Sequence, residues 1–258
     1  SSFPVLRVAQ AKRIPTFIHE SNSFAGKSNM MLGKKATKIF TGTDGMEKFF
    51  PKEKIMVTGN PVRKAITEAL VSRKEGIEFF SLEESKTTVL VVGGSLGAKS
   101  INEAIDKGLD ELLVAGLQII WQTGKPYAEK GTQRAEGKQA VWVNEFITQM
   151  EYAYAAADIV VARAGAMTVA ELCVAKKPVL FVPYPFAAED HQTVNAMALI
   201  KKNAALMVKD TEAKQKLVFM TIELAKDKGK QEELETNISK LAITDADVKV
   251  AEEILKLI

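Results

Sequence analysis

Short apolar runs alternate with segments of helical periodicity along almost the whole chain. The runs are rich in β-branched residues and nearly continuous in apolar character, as is typical of parallel strands covered on both faces. They predict strands at Pro15–Ile18, Lys38–Thr41, Lys54–Val57, Thr87–Val92, Leu117–Trp121, Ala140–Val143, Asp158–Ala162, Pro178–Val182 and Ala205–Val208. Helical periodicity predicts helices at Lys99–Leu109, Thr148–Ala156, Met167–Val174 and Asp190–Lys201. The alternation indicates an α/β fold built on parallel sheets.

Three segments fall outside this alternation. Residues 5–9 have a helical pattern, and residues 248–258 have an amphipathic one whose apolar side must cover a surface. The stretch 71–86 is charged, and we expect it to be solvated. Thr244 and Asp247 suit the capping of the last helix, which we favour over a metal-binding role for the Asp-x-Asp sequence there.

The sequence Thr-Gly-Asn-Pro-Val-Arg at residues 58–63 marks a junction, because Gly, Asn and Pro disfavour regular structure. We therefore predict three parts. Residues 1–62 hold too few strands for a whole α/β domain and form the remainder of one. Residues 63–243 form a complete second α/β domain, and residues 244–258 form a C-terminal helix that packs back toward the first domain.

Composition narrows the class of protein without identifying it. The 258 residues are 47% hydrophobic and 26% charged, which is ordinary for a soluble globular protein. The net charge of +3 is dispersed, so it does not favour nucleic acid as a partner, although it permits weak attraction to an anionic membrane surface. The single cysteine, Cys173, fits a reducing compartment and is expected to be a small core residue.

The first candidate site is the segment Val89–Gly97, which reads as a strand, a Gly-rich turn and a helix that begins near Ala98. Such a turn lets backbone N–H groups approach phosphate oxygens, and Ser95 adds a hydroxyl donor. The spacing departs from G-x-G-x-x-G, and the next strand leads into Gln122 rather than into the acidic residue that holds an NAD ribose. A pyrophosphate site is therefore favoured over a dinucleotide site, while a purely structural turn stays open.

Residues 161–171 form the second candidate site, an apolar strand that breaks at a small-residue turn and resumes as a helix. Thr168 and Glu171 share one face of that helix. N–H groups at the start of the helix can bind a phosphate or carbonyl oxygen. The Glu171 carboxylate can accept hydrogen bonds from both hydroxyls of a ribose. The alternative is that Glu171 only complements the helix dipole.

Other candidates each have a simpler alternative. Arg63 follows the junction and can neutralise a diphosphate in a cleft, or it is a surface residue. Phe146–Ile147 offers an apolar platform for a flat base, or it belongs to the core. Gln192 and Asn195 share a helix face and can bind sugar hydroxyls, or they cap and solvate the helix. The two histidines of the chain have no metal-ligand spacing, and we predict no metal site.

Four blocks, in their order and spacing, resemble the MurG family of bacterial glycosyltransferases along essentially the whole chain. The blocks are His19–Asn29, Gly59–Arg63, Gly93–Ala98 and Arg163–Glu171. The resemblance implies the GT-B architecture, with two Rossmann-like domains of which the N-terminal one is incomplete in this chain. It also implies that UDP-N-acetylglucosamine binds mainly to the C-terminal domain.

The resemblance assigns donor-binding roles by match to these blocks and to the segment after the strand at 178–182. Asn22 and Gln192 are expected to hold the sugar, Arg63 and Ser95 the diphosphate, Ile147 the uracil, Ala166, Met167 and Thr168 the helix-terminus contacts, and Glu171 the ribose. His191 stands where many relatives have Gln, and its imidazole can still donate or accept a hydrogen bond. The resemblance implies no cofactor and no catalytic metal, since a helix N-terminus and an arginine can stabilise the leaving UDP.

The implied activity is that of an inverting hexosyltransferase in peptidoglycan synthesis. It moves N-acetylglucosamine from UDP-N-acetylglucosamine to undecaprenyl-linked lipid I to form lipid II. Roles in cell wall biogenesis, cell shape, the cell cycle and cell division follow from it. The resemblance also implies peripheral attachment to an anionic membrane surface, at the cytoplasmic face of the bacterial inner membrane.

One family feature does not occur in this chain. The family carries a Gly-rich loop that ends in His, which contributes to the acceptor site and to the proposed general base, and no counterpart precedes Ser1. We therefore expect the catalytic base to lie outside this chain and the chain to be inactive alone. The alternative function is a truncated donor-binding module that binds UDP-sugar without turnover. A dinucleotide oxidoreductase is opposed by the missing acidic strand end.

Overall fold

The computed structural model describes residues 2–257 and contains two parallel sheets, each with helices packed on it. The strands are β1 (Phe17–Glu20), β2 (Lys38–Thr41), β3 (Ile55–Val57), β4 (Thr87–Val92), β5 (Leu117–Gln122), β6 (Val141–Asn144), β7 (Ile159–Ala162), β8 (Val179–Phe181) and β9 (Leu206–Met207). The helices are α1 (Phe3–Ala11), α2 (Lys27–Gly33), α3 (Lys64–Thr67), α4 (Arg73–Phe79), α5 (Lys99–Val114), α6 (Ala128–Ala135), α7 (Met150–Ala156), α8 (Ala166–Ala175), α9 (His191–Ile200), α10 (Ala213–Lys226), α11 (Lys228–Ser239) and α12 (Ala246–Leu255). The predicted α/β fold with parallel sheets is confirmed.

The smaller sheet has the order β1-β2-β3, and we call it with α1 and α2 the first lobe. The larger sheet has the order β6-β5-β4-β7-β8-β9, and we call it with its helices the second lobe. Counted from its own first strand, the larger sheet follows the order 3-2-1-4-5-6 of a doubly wound nucleotide-binding fold. Its direction of winding reverses between β4 and β7, which pair directly. A crevice forms at such a reversal, outside the carboxyl ends of the strands.

Hydrophobic packing covers both faces of the six-stranded sheet. On one face, α5 and α10 cover residues such as Val91 and Ile119, which are fully buried. On the other face, α7, α8 and α9 cover Leu90, Val160 and Phe181. Burial on both faces explains why these strands read as continuous apolar runs rather than as alternating ones.

The segment 71–86, which the charge pattern presents as solvated, is instead folded against the second lobe. Ser72 caps α4 in a reciprocal capping box with Glu75. Phe80 is 2% exposed and packs edge-on against Trp142, with ring centroids 4.8 Å apart. Within α4 the buried residues are Gly76 and Ile77, and they stand among charged residues such as Lys74 and Glu78, which is why composition alone misses the buried side of this helix.

Other boundaries move by a few residues for local reasons. The first strand begins at Phe17 rather than at Pro15, since a proline has no N–H for the ladder. Helix α5 continues from the predicted end at Leu109 to Val114. Helices α6, α10 and α11 are present where the apolar pattern indicates no element.

The last helix begins differently from the prediction. Asp245 occupies the N-cap position without a side-chain capping bond, and the Asp247 carboxylate accepts only from the neighbouring Val248 N–H, so Thr244 and Asp247 form no capping box. Glu253 of α12 pairs with Lys38 of β2 at 2.9 Å, and this hydrogen-bonded ammonium lowers the pKa of Glu253. Ile258, at the end of the predicted pattern, lies outside the described residues. The predicted domain boundaries stay predictions.

Within residues 2–257, none of the helices combines the length and the apolar character that crossing a bilayer requires.

The packing of α4 can be tested with a pair of adjacent aromatic residues. We expect Phe80→Ala to lower the free energy of unfolding by about 3–5 kcal/mol, because it leaves a cavity beside Trp142. Phe79→Ala is the matched control, since Phe79 is 45% exposed, and it should cost about 1 kcal/mol or less. Urea unfolding followed by circular dichroism measures both. Equal effects of the two substitutions would contradict the buried position of Phe80.

Candidate functional site

The candidate site lies where the six-stranded sheet reverses its winding. Val92 at the end of β4 pairs with Ala162 at the end of β7. The two motifs that the sequence singles out, residues 93–97 and 163–171, therefore leave the sheet from adjacent positions on the same edge. The register of one strand pair thus brings together segments that lie about seventy residues apart in the chain.

The Gly-rich turn after β4 is shaped by close backbone contacts. A Cβ on Gly97 would lie 2.0 Å from the Thr123 carbonyl oxygen, and one on Gly93 would lie 2.3 Å from the Ala98 nitrogen. Gly94 has a φ of +83° and faces open space. Ser95, at the tip of the turn, is exposed. The glycines let the turn lie flat against the next loop, so that its outer edge can meet a ligand.

A buried glutamine, Gln122, holds this turn in place. From the sequence, the only sign at this position is that the residue is not acidic. Gln122, at the end of β5, donates from Nε2 to the Gly94 carbonyl at 3.0 Å. Its Oε1 accepts from the Ile147 N–H, also at 3.0 Å. One buried amide therefore holds both the predicted diphosphate turn and the predicted uracil-binding segment. An amide can do so because it carries a donor and an acceptor, whereas a carboxylate carries no donor.

The two residues of the predicted apolar platform, Phe146 and Ile147, have different environments. The Ile147 side chain is 2% exposed and belongs to the core, as the simpler alternative has it. Phe146 is about half exposed and can meet a flat ligand.

Helix α8 presents its N-terminus to the crevice. It follows the extended residue Gly165, and no side chain caps it. The first intrahelical bond runs from the Val169 N–H to the Gly165 carbonyl at 2.9 Å, so the N–H groups of Ala166, Met167 and Thr168 have no acceptor within the helix. These groups carry the positive end of the helix dipole, which suits an anion or a carbonyl oxygen.

Glu171 lies beyond the first turn of α8, which contains no acidic residue. The helix dipole acts mainly within the first turn and does not account for this position. Its Oε2 accepts a hydrogen bond from the Tyr154 hydroxyl at 3.0 Å, and its Oε1 lies 3.4 Å from Nη2 of Arg63. Burial, and then the charge of Glu171, raise the pKa of Tyr154 well above its usual value, so the phenol remains a donor. Tyr154 thus orients the carboxylate, while Arg63 stays largely exposed.

A buried arginine fixes the loops around this centre. Arg163 directly follows β7 and is 9% exposed. Its guanidinium donates to the Val182 carbonyl at 2.8 Å, to Asp210 at 2.5 Å and to the Ser100 hydroxyl at 3.2 Å. It therefore joins the ends of β7 and β8 to the first turn of α5. The sequence contains Arg163 within a motif but gives no sign of these partners, which come from distant segments.

Gln192 and Asn195 of α9 both bind the loop after β7, and Asn195 also joins the two lobes. Gln192 Oε1 accepts from the N–H groups of Ala164 (3.2 Å) and Tyr184 (3.0 Å). Asn195 donates to the Ala164 carbonyl and to Asn22 Oδ1, and it accepts from the Ser23 N–H at 2.9 Å. The polar groups of Asn195 are therefore paired within the protein. Asn195 therefore fits the simpler alternative, a structural role within the protein, better than a role in binding sugar hydroxyls.

Asn22 and His191 lie on opposite sides of the boundary between the lobes. The Asn22 side chain is held by the buried carboxylate of Glu20 at 3.3 Å as well as by Asn195. His191 is the first residue of α9 and packs edge-on against Phe24, with ring centroids 5.8 Å apart. Its Nδ1 is buried without a partner among the described residues. Asn22 thus contacts the second lobe through Asn195, and His191 contacts the first lobe through Phe24.

Cys173 is buried in the second lobe, as its apolar surroundings predict, and burial raises the pKa of its thiol to about 12. Over the described part of the chain, no three His, Cys, Asp or Glu side chains are grouped closely enough to hold a metal ion.

A family model of the glycosyltransferase family 28 C-terminal domain matches residues 88–252. The match begins in β4 and includes both motifs of the crevice. The proteins from Phocaeicola vulgatus and Parabacteroides distasonis that bear the name UDP-N-acetylglucosamine--N-acetylmuramyl-(pentapeptide) pyrophosphoryl-undecaprenol N-acetylglucosamine transferase are 48% and 45% identical to this chain. These alignments cover 100% of the chain and 69% and 71% of the two relatives.

The crystal structure of Acinetobacter baumannii MurG has the same arrangement of elements. It superposes with a TM-score of 0.79 at 29% sequence identity, over 99% of this chain and 70% of that structure.

The close contacts of the Gly-rich turn lead to a testable difference between two glycines. Gly97→Ala places a methyl group against the Thr123 carbonyl at a φ of +73°, and we expect it to lower the free energy of unfolding by about 2–5 kcal/mol. Gly94→Ala, the matched control in the same turn, meets no neighbour and should cost about 1–2 kcal/mol. Urea unfolding measures both. A Gly97→Ala chain as stable as the Gly94→Ala chain would contradict this backbone packing.

Proposed function

The chain belongs to glycosyltransferase family 28 and, within it, to the MurG family, and on that premise we propose that it acts as their hexosyltransferase of lipid II synthesis. It transfers N-acetylglucosamine from UDP-N-acetylglucosamine to N-acetylmuramyl-(pentapeptide) pyrophosphoryl-undecaprenol. The α/β fold is that of GT-B glycosyltransferases. The observation that carries the proposal is the crevice at the β4–β7 reversal, where an oriented carboxylate, an arginine and an uncapped helix N-terminus meet.

We propose that residues 63–243 bind the donor. The Gly-rich turn with Ser95 and the N-terminus of α8 receive the diphosphate and sugar, Glu171 receives the ribose hydroxyls, and the segment at Phe146–Ile147 receives the uracil. Gln192 and His191 border the sugar from α9, and Asn22 borders it from the first lobe. We assign residues 1–62 to the acceptor and membrane side, and residues 244–258 to a helix that packs back on it through Lys38 and Glu253.

Binding of the donor requires Arg63 and Glu171 to exchange partners. They lie 3.4 Å apart, and the Arg63 side chain is 54% exposed. An exposed pair of this kind contributes only about 0–1 kcal/mol, so a diphosphate and a ribose can replace it at little cost. Tyr154 remains as the fixed partner that keeps Glu171 aimed into the crevice.

The transfer itself is an in-line displacement. The acceptor's sugar hydroxyl attacks the anomeric carbon of N-acetylglucosamine, and the bond from that carbon to the diphosphate oxygen breaks with inversion. The electron pair leaves on UDP, where Arg63 and the N-terminal N–H groups of α8 stabilise the developing charge. The hydroxyl proton passes to a general base, a role that we assign to none of the described residues.

Two measurements test the proposal. Calorimetric titration of this chain with UDP-N-acetylglucosamine, UDP and NAD should show binding that is selective for the uridine ligands. Incubation of the full-length protein with labelled UDP-N-acetylglucosamine and a lipid I analogue should show transfer, whereas this chain alone, without the catalytic base, should show none. Tighter binding of NAD would overturn the proposal in favour of an oxidoreductase. Selective donor binding without transfer by the full-length protein would leave the alternative function, a donor-binding module.

The ribose contact leads to a specific prediction for Glu171. Glu171→Gln should weaken binding of UDP-N-acetylglucosamine by about 1–3 kcal/mol, because an amide is a weaker acceptor for two hydroxyls than a carboxylate. Glu223→Gln on α10 is the control, since Glu223 is exposed and distant from the crevice. Titration calorimetry measures both. An unchanged affinity would mean that Glu171 serves only to hold Tyr154 and Arg63.

We further propose peripheral attachment to the cytoplasmic face of the bacterial inner membrane, where the product serves cell wall biogenesis and thereby cell shape and division. Helix α1 supports this attachment. Val5 and Val8 are 71% and 56% exposed, and Arg7 and Lys12 lie beside them. An apolar surface with basic neighbours suits the interface of an anionic bilayer.

The membrane proposal predicts binding to vesicles that contain an anionic phospholipid. Val5→Ser combined with Val8→Ser should weaken this binding by about 1–3 kcal/mol, because less apolar surface enters the interface. Val114→Ser is the control at an exposed valine of the second lobe. Co-sedimentation at low salt measures the binding. Equal losses for both variants would exclude α1 as the attachment site.

A further inference from the structure

A cavity of about 250 Å³ lies between the two lobes, and nothing in the proposed reaction uses it. We call it the interlobe cavity. The first lobe contributes the ends of β2 and β3, with Gly42, Thr43 and Asn60. The second lobe contributes one side of α8 and the facing part of α9. Leu241 and Ile243, which precede α12, close it from a third side.

The interlobe cavity lies on the opposite side of α8 from the donor crevice. Its wall includes Val169, Ala170 and Cys173, which project from one face of the helix. Glu171 projects from the far face, because successive residues of a helix are rotated by about 100°. Among the described residues that the sequence presents as donor-binding candidates, Ala166 and Asn195 also border this cavity, and the polar groups of Asn195 are already paired within the protein. A ligand in the interlobe cavity therefore need not displace the donor.

The walls of the cavity are largely apolar, and more basic than acidic side chains border it. Val57, Leu199 and Ile243 are among its apolar residues. Two ammonium groups border it, those of Lys202 and Lys240, against one carboxylate among the described residues, that of Asp44. Asp44 pairs with Lys202 at 3.5 Å, and Lys240 donates only to the neutral Asn237 amide. The cavity therefore suits a molecule with an apolar body and one anionic group.

Two polar atoms in the wall on the first-lobe side have no partner among the described residues. They are Oδ1 of Asn60, whose residue is 95% buried, and Oγ1 of Thr43. Asn60 Nδ2 is already bound to the Ser21 carbonyl at 3.0 Å, so the orientation of this amide is fixed with Oδ1 as the unsatisfied atom. An unpaired acceptor in a buried position costs free energy. The group that would satisfy either atom is a hydrogen-bond donor such as a hydroxyl.

We propose that the interlobe cavity binds a small aliphatic carboxylic acid that carries a hydroxyl group. The aliphatic chain contacts α8, α9 and Ile243. The carboxylate pairs with Lys202 and Lys240, and the hydroxyl approaches Asn60 and Thr43. Such a ligand contacts both lobes at once, so its binding fixes their separation. The inference does not depend on the proposed transfer reaction.

The test uses 3-hydroxyoctanoate as the probe, with octanoate and 1-octanol as comparators, in calorimetric titrations of the chain. We expect 3-hydroxyoctanoate to bind at least about threefold more tightly than octanoate, and octanoate more tightly than 1-octanol. Lys202→Gln combined with Lys240→Gln should weaken both carboxylates at least about fivefold and leave 1-octanol unchanged. Lys226→Gln, on α10, is the charge control.

A second set of variants tests the location. Ala170→Leu on α8 and Ala198→Leu on α9 each fill the interlobe cavity from one side and should abolish binding of 3-hydroxyoctanoate. Ala115→Leu, at an exposed position after α5, should have no effect. Two filling variants are used, one on each helix, so that one remains informative if the other fails to fold. Circular dichroism shows whether each variant is folded. Binding that survives in a folded filling variant, or that ignores the lysine substitutions, would overturn the proposal.

Discussion

The direct pairing of β4 with β7 is the constraint on which the site depends. Parallel strands joined by helices on both faces must all end at the same edge, and the winding reverses between these two strands. The Gly-rich turn and the N-terminus of α8 consequently emerge next to each other. If another strand lay between β4 and β7, the two motifs would still form, but they would be too far apart to bind the same ligand.

Side-chain amides then fix the loops that leave this edge. Gln122 holds the Gly-rich turn and residue 147, Gln192 holds the loops after β7 and β8, and Asn195 joins the second lobe to Asn22 and Ser23. Gln122 and Asn195 donate and accept at once, so each joins segments that present opposite groups, whereas Gln192 joins its two loops by accepting two N–H groups at Oε1. The N–H groups at the start of α8 are left out of this network. A preorganised arrangement of loops around free donors is what a diphosphate requires.

Among the described residues, polar contacts cross the boundary between the lobes at several places. Asn195 and Asn60 cross it near the crevice, and the Lys202–Asp44 pair crosses it elsewhere. The apolar space behind α8 is incompletely filled. Such a boundary resembles a transient interface more than a core, which suits two lobes that must admit and release a substrate.

The sequence by itself determined the parallel α/β class, the nine strands found within residues 2–257 and the two motifs that meet in the crevice. These are properties of local pattern: double burial produces continuous apolar runs, and glycines are needed where backbones approach closely. It did not determine the helix at 73–79, because the buried side of that helix amounts to a single turn within charged residues. Nor did it determine the partners of Glu171. Tyr154, Arg63 and Glu171 come from three separate elements, and only tertiary packing brings them within hydrogen-bonding range.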